Sequence, residues 1–173
     1  TENKTWNSID DKYGMILKLT GIAKNTGLNL DIQIIDKELF YREYPSSPSL
    51  IYQLKDYKII YGKIKIPASA NLTKLDLRMK LDWSDIDDEE SEGKEIYQSL
   101  RNVILVKLVL NKVVNNEILN DGVVKELGES IITKLKDNTA SKSEKKLVLN
   151  IIKKLSEKTD NDIKEAEWEE IEL

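Results

Sequence analysis

Three groupings in this chain bring together residue types that can do chemistry. Five of the seven tyrosines lie between Tyr41 and Tyr61, interleaved with Arg42, Lys55, Lys58, Lys63 and Lys65. Aromatic faces stack bases and lysines meet phosphates, so Tyr41, Arg42, Tyr57, Lys58, Tyr61 and Lys63 form a candidate single-stranded nucleic-acid site. The alternative is structural: the tyrosines pack the rims of a sheet while the lysines blunt an edge strand. The second grouping, Asp85-Ile86-Asp87-Asp88-Glu89, begins like a calcium loop. Its sixth position is Glu90 where the loop needs Gly, and its twelfth is Ile96 where it needs Glu, so a solvated acidic loop fits better. The third, Tyr61-Gly62-Lys63-Ile64-Lys65, has the Tyr-x-x-x-Lys spacing of short-chain dehydrogenases. No glycine-rich dinucleotide turn or phosphate loop accompanies it, and the seven glycines form no cluster.

What is missing narrows the chemistry further. The chain has no histidine and no cysteine. That removes the commonest general base, the commonest zinc ligands, thiolate nucleophiles and disulfides. Acidic residues are abundant, so a carboxylate-pair hydrolase remains formally open, but nothing singles out a pair. No catalytic, cofactor-binding or metal-binding residue is assigned, and the expectation is a chain that is not an enzyme. The start, Thr1-Glu2-Asn3-Lys4-Thr5, has no apolar signal region, and no stretch is long and apolar enough to span a bilayer. We therefore expect a cytoplasmic chain with no membrane partner and read the glycosylation-type triplets at Asn3 and Asn71 as chance.

Charge is distributed unevenly. The net charge is −4. Residues 82–92 hold seven acids and no base, and residues 159–173 hold seven acids against Lys164. The remaining body carries 26 basic and 17 acidic residues, a surplus of about +9. In the tail, Trp168, Ile171 and Leu173 are apolar anchors among carboxylates. They offer one face of a short helix to a partner's groove, or the tail folds back onto its own basic body.

The elements that must position these residues read as strands first and helices afterwards. Met15, Leu17 and Leu19 alternate; Leu28, Leu30, Ile32 and Ile34 alternate; and Lys24-Asn25-Thr26-Gly27 between them reads as a hairpin loop. Ile60, Ile64 and Ile66 form a further row, and Leu75, Leu77, Met79 and Leu81 another. In the second half, Ser141 and Glu144 have capping-box spacing ahead of Leu147, Val148, Ile151, Ile152 and Leu155. Val123, Val124, Leu127, Ile131, Ile132 and Leu135 mark a second helical face. The run Val103–Leu110 is apolar nearly all round and fits a buried helix or a buried strand. The expected fold is α+β, an N-terminal antiparallel β-sheet followed by a C-terminal helical region. The expected layout is one domain over 1–158, β-rich to about 82, with an acidic loop over 82–93, helices over 94–158 and an acidic tail over 159–173. The 103–110 run is more apolar than such a fold readily hides, which predicts a homodimer.

The layout resembles the accessory seventh subunit of crenarchaeal type III-B (Cmr) CRISPR effector complexes. The likeness lies in Trp6, in Tyr13-Gly14-Met15-Ile16-Leu17-Lys18, in Tyr57-Lys58-Ile59-Ile60-Tyr61-Gly62-Lys63-Ile64-Lys65, and in the helical second half. It covers most of the chain and rests on size, element order and lysine-rich composition. The resemblance implies a non-catalytic homodimer that decorates an RNA-targeting ribonucleoprotein of antiviral defence, with other protein subunits as partners and RNA nearby. A stand-alone single-strand binder and a small GINS-like replication subunit are the alternatives.

Overall fold

The computed structural model describes residues 8–27, 32, 34–59, 62–86 and 90–173. Contacts divide the chain into two compact units, Thr1–Glu43 and Tyr44–Leu173.

The first unit contains α1 (Ile9–Asn25) and α2 (Lys37–Glu43). Ser8 starts α1 by accepting the Asp11 backbone N–H at 3.1 Å, and Asp10 and Asp11 lie in the first turn, where the helix dipole favours acids. Thr26 ends it, its backbone N–H and hydroxyl both directed at the carbonyls of Ile22 and Ala23. Gly27 then takes φ +74°, the left-handed conformation that lets the chain leave the helix. Lys24–Gly27 is thus a helix end rather than a hairpin loop. Among the described residues of this unit, Ala23 and Phe40 are the buried apolar ones.

The second unit opens with a 3-10 turn over Tyr44–Ser46. It continues through α3 (Pro48–Gln53), β1 (Asn71–Thr73), α4 (Lys74–Asp82), α5 (Gly93–Leu110), α6 (Asn116–Leu127), α7 (Glu129–Lys136), α8 (Lys142–Glu165) and β2 (Glu170–Glu172). α5 is its axis, packed against α3, α4, α6, α7 and α8. Val103, Ile104, Leu105, Val106 and Val109 are all buried, so of the two readings of this run the structure has the helix. That burial also removes the argument for a dimer based on 103–110: neighbouring helices of the same chain cover the run.

The α+β expectation is corrected. Among the described residues the chain is mainly helical, and its strands are the three-residue pair β1 and β2. They run antiparallel with Leu72 opposite Ile171, and neither is N-terminal. The reason is visible in the rows themselves. An alternating row contains i, i+4 pairs, which also lie on one face of a helix. Met15, Leu17 and Leu19 lie on α1, where the Ser8 cap sets the period. Leu75, Leu77, Met79 and Leu81 lie on α4, where only Leu77 and Leu81, four apart, are buried. Thr73 and Asp76 form a reciprocal capping box that starts α4 and outweighs the alternation. Ile32 and Ile34, and likewise Ile64 and Ile66, lie in chain without strand pairing, while Leu28, Leu30 and Ile60 fall outside the described residues.

Two local features complete the frame. The face read across Val123–Leu135 belongs to two helices, because Gly128 at φ +75° breaks α6 from α7. At the start of α5, Gly93 lies so close to α7 that a Cβ would sit 2.3 Å from the Leu135 carbonyl oxygen. Its N–H donates to the Asn138 side chain at 3.0 Å, so the absence of a side chain lets α5 and the end of α7 meet.

Candidate interaction surfaces

The six residues of the candidate nucleic-acid site are divided between the units. In the first, Tyr41 lies on α2, half-buried and edge-to-face with Phe40 at 5.3 Å between ring centroids. Arg42 beside it pairs with Glu43 at 3.3 Å. In the second, Tyr57, Lys58 and Lys63 are exposed in the irregular stretch between α3 and β1. Tyr61 lies outside the described residues. The other two tyrosines of the group are core residues. Tyr52 is buried, and its hydroxyl donates to the Val113 carbonyl at 2.5 Å, tying α3 to the turn after α5. Burial pushes its pKa up to about 12. Tyr44 is raised in the same direction, by burial first and then by the nearby Tyr57.

The tail residues are placed by β2. Ile171 is buried opposite Leu72, and Ala70 and Leu173 exchange backbone hydrogen bonds at 3.2 and 2.9 Å. Trp168 and Leu173 are half-buried. Lys74 of α4 secures the turn before β2, donating to the Ala166 carbonyl at 2.8 Å and approaching Glu169 at 3.6 Å. The end of the chain therefore folds back onto the second unit, the second of the two readings of the tail, and does so as a strand rather than as a helix face. Arg78 adds a link from α4 to Asp160 of α8 at 3.0 Å. Lys164, and then Arg78, hold the Asp160 carboxyl below its ordinary range.

Two surfaces were not singled out by the sequence. On α1, Ile9, Tyr13 and Leu17 are 74%, 61% and 71% exposed. Spaced four apart, they form one row along the helix. On α4 and its C-terminal cap, Leu75, Met79 and Trp83, also four apart, are 66%, 47% and 74% exposed, on the side away from buried Leu77 and Leu81. Beside this row the Lys80 ammonium lies 5.8 Å from the Trp83 ring centroid. Either row could have been found from its i, i+4, i+8 spacing once the segment was read as a helix.

Of the acidic segment, Asp85 is exposed and Ile86 half-buried, while Asp87, Asp88 and Glu89 lie outside the described residues. Among the described residues no three acidic side chains converge as a metal cage would require, and no helix is long and apolar enough to cross a membrane. No protein-family model, curated protein or solved structure matches this chain.

Proposed function

We propose that this chain is a non-catalytic, cytoplasmic assembly subunit that pairs with a second copy of itself through α1. The observation that carries the reading is the exposed apolar row Ile9, Tyr13 and Leu17. Single exposed apolar side chains are ordinary, but an aligned row invites a partner.

Charge favours a second copy as the partner. α1 carries Asp10 and Asp11 in its first turn and Lys24 in its last. Two copies side by side and antiparallel put Asp10 of each beside Lys24 of the other, with opposed helix dipoles. The residue midway between Asp10 and Lys24 is Leu17, which then lies at the two-fold axis. A membrane surface fits less well. Lys12, Lys18 and Lys24 are six apart, about 120° around the helix from one another, so they gather on no single cationic face.

The complex in which such a subunit works is a ribonucleoprotein of the type III-B CRISPR kind, with other proteins and RNA as partners. That part rests on the resemblance through size, lysine-rich composition and a helical second half; the strand-first order no longer supports it.

The cysteine-free chain gives a clean test. Leu17→Cys should cross-link to itself under mild oxidation, giving one product of twice 19.9 kDa, because only facing residues meet disulfide geometry. Asp10→Lys and Lys24→Asp should each weaken pairing, and the double variant should restore it. A parent that sediments as a monomer at tens of micromolar would sink the reading. If that monomer binds an oligothymidylate and loses it on Tyr57→Ala, the single-strand binder takes its place. Tyr57, Lys58 and Lys63, each exposed, are what favour that second reading.

A further inference from the structure

The exposed row on α4 differs from that on α1 in what flanks it. Leu77 and Leu81 already anchor α4 to its own unit, so Leu75, Met79 and Trp83 contribute little to the core. The row extends about 12 Å along the helix. Leu, Met and Trp are side chains suited to binding surfaces, and Trp above all is enriched where a few residues carry most of an interface's energy.

Lys80 of α4, beside the row, and Arg101 of α5, near enough for its charge to act on Lys80, are both half-buried. Neither forms a salt bridge among the described residues, whereas Lys74 and Arg78 of the same helix each have a carboxylate partner. Burial, and then the like charge of Arg101, push the Lys80 pKa down. Two partly desolvated cations that lack a carboxylate, Lys80 having only the Trp83 ring beside it, form an arrangement that an incoming carboxylate would relieve.

We infer that the Leu75–Met79–Trp83 face of α4 docks an amphipathic segment of another protein, one whose apolar anchors are flanked by carboxylates that meet Lys80 and Arg101. A nucleic acid is the poorer fit. It would use Trp83 and the cations but leave Leu75 and Met79 idle. The inference does not depend on pairing through α1: Leu17→Cys cross-linking reports on that helix alone, so the two proposals fail separately.

The test uses the full chain with Trp6 and Trp168 changed to Phe, leaving Trp83 as the sole tryptophan, excited apart from the seven tyrosines. Two synthetic helical peptides of about 15 residues share leucines spaced four apart; one carries flanking glutamates and the other lysines in their place. The glutamate peptide should shift Trp83 emission to the blue and bind about tenfold or more tighter than the lysine peptide. Lys80→Met and Arg101→Met should each erase most of that ratio without abolishing binding. Met79→Glu, at an exposed position, should abolish binding while leaving the circular dichroism unchanged. Equal or reversed preference between the peptides, or no binding of either, overturns the inference. So does competition by an oligothymidylate, which makes the face a nucleic-acid surface. Self-association lost on Met79→Glu also overturns it, because a second copy then covers the face.

Discussion

α1 and α5 have almost the same length, 17 and 18 residues, and both are rich in large apolar side chains, yet they meet opposite fates. α5 buries ten of its residues; α1 buries Ala23. The difference lies in where the charges fall. Between Ile96 and Val106, α5 carries one charge, Arg101, so helices can close around it on nearly every side. α1 carries Asp10, Asp11, Lys12, Lys18 and Lys24, with its lysines spread around the circumference. Enclosing it would strand a cation whichever way it turned. Apolar content alone does not decide which helix becomes a core; the arc left free of charge does. What remains on α1 is apolar surface on two sides, Ile9, Tyr13 and Leu17 along one and the exposed Met15, Leu19 and Ile22 along the other, each wide enough for one neighbouring helix.

The sharpest way to break this comparison is to truncate one leucine from each helix. Leu100 is fully buried on α5, and Leu100→Ala should cost about 2–5 kcal/mol in denaturant unfolding, through lost burial and the cavity left behind. Leu17→Ala should change stability by less than about 0.5 kcal/mol when measured at protein concentrations too low for pairing. Comparable losses at the two positions would mean that the α1 row is buried in solution and that the contrast is false.

A smaller effect is expected where α5 begins. Gly93→Ala would drive a methyl against the Leu135 carbonyl, a backbone atom that cannot swing aside. The helix ends must part, which also stretches the Gly93–Asn138 hydrogen bond. A loss of about 1–3 kcal/mol is expected, read as a lower unfolding midpoint with unchanged denaturant slope. A neutral substitution would mean that α7 is free to shift and that α5 is held chiefly by α8 and α6.

How much of this was legible in the sequence differs between the same two regions. Around α5 the lack of charge spoke directly, and the Ser141–Glu144 spacing marked the start of α8. In the first 82 residues the apolar rows carried i, i+2 and i+4 spacings together, so period alone could not choose between strand and helix. The deciding signals were the caps: Ser8 ahead of Asp11, and Thr73 ahead of Asp76. Once α4 is read as a helix, Leu75, Met79 and Trp83 separate from Leu77 and Leu81 without further information. The β1–β2 pair was beyond reach, since three residues near position 72 meet three near the end of the chain and no local pattern announces a pairing that distant. Nor could residue type separate buried Tyr44 and Tyr52 from exposed Tyr57. The same ring serves as core or as platform according to the neighbours it meets.

The last and smallest effect tests whether the helices around α5 are held by placed charges as well as by apolar contact. Two lysine–glutamate pairs have the same separation, 2.5 Å, in different settings. Lys142 and Glu90 are both largely in solvent, where such pairs contribute little. Glu144 is more enclosed and is held three ways: Lys134 of α7 donates to one oxygen, and the Ser141 backbone N–H and hydroxyl donate to the other at 2.8 and 2.9 Å. Lys134, and then Ser141, hold its pKa at about 2, against an ordinary 4.5. The folded state therefore favours the ionised form, and the unfolded chain takes up the proton first as pH falls. The stabilisation is complete above about pH 4.5 and is lost as pH falls through about 2. Glu144→Gln should lower stability at neutral pH and flatten that acid limb, whereas Glu90→Gln should leave both nearly unchanged. Thermal midpoints measured from pH 7 down to pH 2 compare the three proteins. If Glu144→Gln keeps the parent's acid limb, the clamp between α7 and α8 contributes nothing, and apolar packing alone seats them against α5.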